Sequence, residues 1–196
     1  MTTHTRTTIL KTAKQLFAKN GYEGFSMRTL ASESGAGLSS IYNYFADKDE
    51  LLKELFDQTN RQLGEERAKL QVQNTASLML EQRIRFQFEN IESVVFVLKY
   101  YLHFRPEFIK ILDTGYLPTK AYLHIEEVLR KGIETREFVV EEAELHSESK
   151  VIAHAINGFL LEYYPNPPKG TELTKVIASI HKFLLKSLTN KEALMI

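Results

Sequence analysis

Residues Ser26 to Leu52 read SMRTLASESGAGLSSIYNYFADKDELL, and this stretch decides the fold of the N-terminal part of the chain. Its pattern predicts a helix, a tight turn and a second, shorter helix. Ala31 lies midway along the first of these helices, where a bulky side chain would push the two helices apart. Gly35 falls at the turn, where a Cβ would disfavour a left-handed backbone conformation. Ile41 faces inward from the second helix. The pattern is typical of a helix-turn-helix, which presents its second helix to the major groove of DNA.

Capping residues mark the helices around this motif. Asn20-Gly21 is a helix stop, and Ser26 is a good N-cap for the helix that follows it. Asp47 caps a longer helix, and Glu50 three residues on completes a capping-box-like pair. The helices predicted for this part of the chain cover residues 7–20, 26–34, 38–44 (or 38–45) and 47–71.

The rest of the chain has the periodicity of helices and no convincing strand pattern. Arg105-Pro106 is predicted to end a central helix that is apolar nearly all round. Phe138-Val139-Val140 favours β-structure locally, but its helical neighbours predict a loop there. The sequence therefore predicts an all-α fold. The further helices are expected over residues 75–92, 91–104, 119–135, 141–164 and 172–188, with a short segment at residues 107–112.

Composition and charge narrow the class of protein. The 196 residues are 43% hydrophobic and 26% charged, with no cysteine, so the chain can build a core and has no disulfide or thiolate metal site. Its net charge is zero, but residues 1–48 carry six Lys or Arg against three Asp or Glu. A basic head on an acidic body fits a small DNA-binding module attached to a different domain. With no membrane span and no signal peptide in the pattern, we expect a soluble cytoplasmic protein.

The N-terminal third resembles the TetR family of transcriptional regulators over about 50 residues. The resemblance is carried by a leading amphipathic helix that ends in NGYEGFSM, by LASESGAG, and by SIYNYFADKDELL. It implies a three-helix DNA-binding domain with the helix-turn-helix at residues 1–47. It further implies a helical bundle at 48–196 that binds a small effector and dimerises. The implied function is that of a repressor, a homodimer on a palindromic operator of double-stranded DNA that the effector releases.

Within this resemblance, one set of side chains is expected to face DNA. Asn43 is suited to a bidentate pair with adenine, and Lys48 to a phosphate where the helix dipole also favours an anion. Leu38 stands where the family often has a polar side chain, and could touch a thymine methyl or make no contact. Tyr42 could instead pack in the small domain, and Arg28 and Lys48 could be ordinary solvated charges. The predicted DNA-binding residues are Ser26, Arg28, Leu38, Ser39, Ser40, Tyr42, Asn43, Tyr44 and Lys48.

Aromatic residues concentrate in the middle of the chain and suggest a pocket for an apolar or aromatic effector. Tyrosine hydroxyls, His103 or Asn157 would orient such a ligand. The competing interpretation is that these side chains form the core. The predicted ligand-binding residues are Phe88, Tyr100, Tyr101, His103, Phe104, Tyr122 and Asn157.

The last two helices are the expected dimer interface, as the resemblance implies. Small residues there permit close approach of helices, and apolar side chains supply contact area. The alternative is that these residues close the core of the monomer. Phe183 of the last helix is expected to face inward. The predicted interface residues are Ile152, Ala155, Ile156, Phe159, Leu160, Ile180 and Leu184.

Signals for catalysis or metal binding are weak. His146 and His154 lie eight residues apart, too far along a helix to bind one metal ion directly. HExxH, G-x-S-x-G, GxxxxGK[ST] and GxGxxG patterns do not occur, so we expect no enzyme, metal or cofactor. The alternative function is a helical interaction adaptor or small-molecule-binding protein that has lost specific DNA binding. Leu38 favours this alternative weakly. The set that argues against it is Ser39, Asn43, Tyr44 and Lys48.

Overall fold

The computed structural model describes residues 2–71, 73–112 and 121–189, and the side chains of these residues except 2–5, 105–112 and 121. The described residues form helices and connecting turns, without a strand, and the all-α fold class is confirmed. None of the helices in these ranges is long and apolar enough to cross a membrane. The helices are α1 (Thr2–Asn20), α2 (Met27–Ser34), α3 (Leu38–Tyr42), α4 (Lys48–Ala68), α5 (Ala76–Glu89), α6 (Ile91–Leu112), α7 (Ala121–Glu134), α8 (Leu145–Tyr163) and α9 (Gly170–Thr189).

The helices divide into two compact units. Unit 1 contains α1 to α4 and α6 from Glu92 onward. Unit 2 contains α5 and α7 to α9. The boundary predicted between the DNA-binding and effector domains, after residue 47, falls inside unit 1 at the start of α4. The division of the two functions between these parts of the chain therefore stays a prediction.

The core of unit 1 is built from the apolar stripe of α1 and the apolar surface of α6. Phe17 is fully buried and packs edge-to-face on Phe96, with ring centroids 5.2 Å apart. Phe56 of α4 stacks on Tyr100 of α6 at 4.4 Å. Such aromatic pairs each add about 0.5–1.5 kcal/mol beyond the apolar area that they bury. Phe96 and Tyr100 of the central helix are thus buried in unit 1, but Leu102 of the same helix is 58% exposed, so the predicted burial on nearly all sides is not reached.

In unit 2, α5 packs against α7 and α9, and α7 packs against α8. Ile84, Leu129, Ile156 and Leu160 are fully buried in this bundle. The segment after α7 forms a loop, as predicted, because the Val139 N–H donates to the Leu188 carbonyl at 2.7 Å at a single point and no ladder follows.

Two helix boundaries differ from the prediction in a way that matters for the site. The central helix was predicted to end at Arg105-Pro106, but α6 continues through Pro106 to Leu112. A proline removes only one intrahelical hydrogen bond, so a helix can continue past it. Helix α3 ends at Tyr42, since the N–H groups of Tyr44 and Phe45 both donate to the Ile41 carbonyl and tighten the chain into a turn. Predicted base-reading residues after Tyr42 therefore lie in a turn.

Candidate nucleic-acid interface

The turn of the helix-turn-helix is fixed by a cap on each side. The Ser26 hydroxyl accepts a hydrogen bond from the Thr29 N–H at 3.0 Å and so begins α2, as predicted. Gly35 ends α2 at φ +68°, the left-handed conformation that glycine adopts without a Cβ penalty. Gly37 then begins α3 with an extended backbone and no side-chain cap. The predicted Ser26 cap and the predicted glycine turn at Gly35 are confirmed.

The inner face of the motif is apolar and buried. Leu30 and Ile41 have no exposed surface, and Phe45 is 1% exposed. Burying a Leu, Ile or Phe side chain stabilises a fold by about 1.5–3 kcal/mol, so these three anchors fix how α3 is rotated. The opposite side of α3 consequently faces away from the core of unit 1.

That outward side carries the predicted base-reading residues. Ser39 and Asn43 are exposed, and Ser40 and Tyr44 are partly exposed. Tyr42 keeps 49% of its surface exposed, so it does not pack into the small domain as the alternative had allowed. Leu38 is half-buried at the first position of α3. The geometry presents short hydroxyl groups along the helix and an amide just beyond its end.

The N-terminus of α4 is already occupied by carboxylates. The Asp47 side chain accepts hydrogen bonds from the N–H groups of Asp49 and Glu50, each at 2.9 Å, which confirms the predicted cap. The Glu50 carboxylate reaches the Ala46 N–H at 2.6 Å, one residue before the cap. Because these carboxylates occupy N–H groups at the start of α4 and place negative charge there, they oppose the predicted attraction of the helix dipole for a phosphate. The ammonium of Lys48 is the attractive group there.

Lys48 lies over the ring of Tyr22, a residue that no pattern in the sequence singled out. Its Nζ is 3.6 Å from the centroid of the Tyr22 ring. The Tyr22 hydroxyl donates to Asp49 Oδ1 at 2.6 Å, and the ring stacks on His103 of α6 at 3.7 Å and 14°. The hydrogen bond to Asp49, and then burial, raise the pKa of Tyr22 to about 12. The sequence did contain one sign that Tyr22 matters, because it lies within NGYEGFSM, a stretch that carries the family resemblance.

Residues 9–55, which include the whole of this motif, match the family model described as bacterial regulatory proteins, tetR family. This part of the chain matches the DNA-binding domain of the TetR family. The match spans the last two-thirds of α1, the helix-turn-helix and the start of α4. It therefore contains the predicted DNA-facing residues.

The curated proteins to which this chain is similar are named transcriptional repressors. The chain is 30% identical over 110 residues to the repressor NicS of Pseudomonas putida, covering 56% of this chain and 47% of NicS. It is 39% identical over 49 residues to the repressor AcnR of Corynebacterium glutamicum, covering 25% of this chain and 26% of AcnR. These matches span less than half the length of the curated relatives.

Solved structures with the same fold match nearly the whole length of this chain. A regulator FadR from Bacillus subtilis in complex with stearoyl-CoA has a TM-score of 0.65 and 19% identity, covering 93% of this chain and 99% of FadR. PfmR, a TetR-family regulator from Thermus thermophilus, has a TM-score of 0.68 and 23% identity, covering 93% and 99% of the two chains. At these identities the likeness establishes the fold.

The predicted effector residues are divided between the two units. Tyr100 is 5% exposed and stacked in the core of unit 1, and Phe88 is 4% exposed and packs on Tyr163 in unit 2. Both thus play the core role that the sequence left open. His103 and Phe104 pack on Tyr22. Three others are partly exposed: Tyr101 in unit 1, and Tyr122 and Asn157 in unit 2.

A groove of about 450 Å³ lies on unit 2 between α5 and α7. Met79 contributes from α5, and α7 contributes mainly charged side chains, among them Glu126, Glu127 and Arg130. None of the predicted ligand-binding residues lines this groove. Its charged wall differs from the aromatic pocket that the sequence suggested.

Most predicted dimer residues are buried within the monomer. Ala155 and Phe159 on α8 are partly exposed and stay available to a partner. By contrast, Val151 is 61% exposed and Phe183, expected to face inward, is 62% exposed. Val151, Ala155 and Phe159 recur every four residues, a spacing that could have identified this face of α8 beforehand. Five of the predicted interface residues are at most 4% exposed and pack in the core of unit 2, as the alternative had allowed. They are Ile152, Ile156, Leu160, Ile180 and Leu184.

Histidine and carboxylate side chains do not gather into a metal site anywhere in the described ranges. His146 Nδ1 pairs with Glu126 at 2.6 Å, and His154 Nδ1 lies 2.6 Å from the Lys150 carbonyl of its own helix. Both histidines thus make local contacts on unit 2.

Proposed function

We propose that this chain is a TetR-family transcriptional repressor that binds an inverted-repeat operator as a homodimer and leaves it when a small effector binds. The observation that carries the proposal is the exposed polar face of α3, held outward by buried Ile41 and Phe45 and bordered by Arg28 and Lys48.

The two kinds of DNA contact fall to different residues. Arg28, exposed in the first turn of α2, and Lys48 at the start of α4 supply positive charge for phosphates on either side of α3. Phosphate contacts position a protein on the duplex and carry no sequence information, whereas base edges are read in the major groove. Ser39 and Ser40 reach bases along α3, and the Asn43 amide reaches an adenine from the turn.

Repression and effector release draw support from the relatives. NicS and AcnR are both named transcriptional repressors. The FadR structure of the same fold contains stearoyl-CoA, which supports a small-molecule effector for this chain as well. An effector releases DNA when it binds the DNA-free conformation more tightly than the DNA-bound one. The difference between these two binding free energies determines how far the population shifts. We propose an apolar or aromatic effector, with Tyr122 and Asn157 of unit 2 as its partly exposed contacts.

Recovery of genomic fragments tests the proposal. The protein is incubated with sheared DNA from its source, and bound fragments are sequenced and then checked by gel shift at about 50 and 200 mM salt. We expect an enriched inverted repeat and binding that weakens steeply with salt. If no fragment is enriched over random DNA, the regulator function is excluded.

A matched pair of variants separates the DNA face from general charge. Ser39→Asp with Asn43→Asp places two negative charges on the face of α3 and should abolish enrichment, because the charges repel phosphates. Thr174→Asp with Ala178→Asp adds the same charge to exposed positions of α9 and should leave enrichment intact.

A further inference from the structure

Lys48 is surrounded by acids in the sequence and yet pairs with none of them. Asp47, Asp49 and Glu50 all lie within two residues of it. Within the part of the chain that the structure describes, no carboxylate oxygen comes within 4.0 Å of its ammonium. A lysine that is paired with a neighbouring carboxylate offers a phosphate little net charge. An ammonium without such a pair keeps its full positive charge for a DNA phosphate.

Each of the three carboxylates is engaged elsewhere. Asp47 caps the first N–H groups of α4, and Glu50 accepts from the Ala46 N–H. Asp49 accepts from the Tyr22 hydroxyl at 2.6 Å. The first two engagements are helix caps, whereas the third depends on one side chain from outside the helix.

Tyr22 also determines where the ammonium lies. His103 stacks almost parallel to its ring at 3.7 Å, and Lys48 Nζ lies over the ring at 3.6 Å from the same centroid. One face of a ring cannot hold both groups at these distances, because their atoms would overlap. The imidazole and the ammonium therefore lie on opposite faces, and Tyr22 is held between α6 and the start of α4.

We propose that Tyr22 and His103 are positioning residues for DNA binding: Tyr22 holds Asp49 away from Lys48, His103 holds Tyr22, and the Lys48 ammonium stays available to a phosphate. The inference rests on the proposed DNA-binding function. Contact between a cation and an aromatic face orients the ammonium while leaving its N–H donors free for an anion.

A cycle of isosteric variants tests the role of the Tyr22 hydroxyl. Fluorescence anisotropy measures binding to a labelled, mixed-sequence duplex over a range of salt. Tyr22→Phe keeps the ring and releases Asp49, so the affinity for DNA should fall several-fold. The slope of log K against log salt should become less steep by about 0.9 for each bound subunit, because one phosphate contact is lost. In an Asp49→Asn background, the same Tyr22→Phe change should have no effect, because no carboxylate is left to capture Lys48.

Glu23 offers a matched control, because it is exposed, acidic and adjacent to Tyr22. In a Glu23→Gln background, Tyr22→Phe should still weaken binding as it does in the unmodified chain. Equal effects of Tyr22→Phe in the Asp49→Asn and unmodified backgrounds would overturn the proposal, since a merely structural loss is not cancelled by removing that one charge. If the unmodified protein binds no DNA at all, the proposed function itself fails.

His103 is tested in the same assay. His103→Phe keeps a flat ring against Tyr22 and should bind like the unmodified protein, whereas His103→Ala removes one side of the stack and should weaken binding as Tyr22→Phe does. His103 is exposed, so neither change disturbs the core. Equal binding by the alanine and phenylalanine variants would exclude a positioning role for His103.

Discussion

At the scale of single residues, Arg83 of α5 is held in an unfavourable setting. Its side chain is 14% exposed, and its Nε and Nη1 atoms are buried without a hydrogen-bond partner among the described residues. Among the described residues its carboxylate partner is Glu127, which is 62% exposed and 3.5 Å from Nη2. Burial lowers the pKa of Arg83, and the charge of Glu127 only partly opposes this. A buried donor without a partner costs about 1–3 kcal/mol.

Arg83→Met should therefore stabilise the protein, with a free energy of unfolding higher by about 1–3 kcal/mol in urea denaturation. The methionine keeps most of the apolar stem and removes the unpaired donors. Arg130→Met is the control, because Arg130 is 52% exposed and pairs with Glu142 at 2.7 Å. It should change stability by less than about 1 kcal/mol. A loss of stability in Arg83→Met would mean that the guanidinium is satisfied in solution.

Asn43 and Lys48 should differ in how their loss affects different DNA sequences. Asn43→Ala should cost about 1–3 kcal/mol at one base pair of the operator and relax specificity there. Lys48→Ala should weaken binding to all sequences alike, because phosphates are the same everywhere. Competition gel shifts with single-base operator variants distinguish the two patterns. Identical patterns for both variants would contradict the assigned roles.

At the scale of secondary-structure elements, Glu137 joins two helices of unit 2. It follows α7, and its carboxylate accepts hydrogen bonds from the N–H groups of Ala76 at 3.0 Å and Ser77 at 3.2 Å, at the start of α5. The Thr135 hydroxyl donates to it at 2.8 Å. Burial raises the pKa of Glu137, but these hydrogen bonds outweigh it and the net pKa lies below the ordinary value.

The stability that Glu137 contributes should depend on acid pH. Because its folded pKa is depressed, the contribution is complete above the unfolded pKa of ~4.3 and is lost as pH falls through the folded pKa. Glu137→Gln should be less stable at neutral pH, since charge-assisted hydrogen bonds are roughly twice as strong as neutral ones. The difference in melting temperature should close below about pH 4.

Glu141→Gln provides the comparison for this pH series, because Glu141 is exposed on the same connecting segment. Its melting curves should follow those of the unmodified protein at every pH. If the difference in melting temperature between Glu137→Gln and the unmodified protein stays constant down to acid pH, the hydrogen bonds of Glu137 to Ala76 and Ser77 do not cause the loss of stability.

At the scale of the whole molecule, the exposed apolar side chains of α8 and α9 should govern assembly. Val151 and Phe183 are each more than 60% exposed, at 61% and 62%. Phe183→Glu should convert a dimer into monomers in sedimentation experiments, because it places a charge in an apolar contact while the core stays intact. Leu78→Glu, at a 46% exposed position of α5, should remain dimeric. A dimer that persists in Phe183→Glu places the interface elsewhere.

The sequence by itself determined the local structure of the DNA-binding part. Ser26, Gly35 and Asp47 act through neighbours a few residues away, so their capping and turn roles follow from short-range chemistry. Ile41 was expected to face inward from the second helix of the motif, and it is fully buried. The same residues carry the family resemblance, which covers the site.

Only the tertiary structure decided which side chains meet across long stretches of chain. Tyr22 and His103 are 81 residues apart and Lys48 belongs to a third element, so no local pattern brings them together. The same holds for Tyr100, for which an aromatic stripe left both a pocket and a core open, and for Phe183, whose helix has two apolar sides. Periodicity places a residue on a face of its helix, whereas burial depends on what packs against that face.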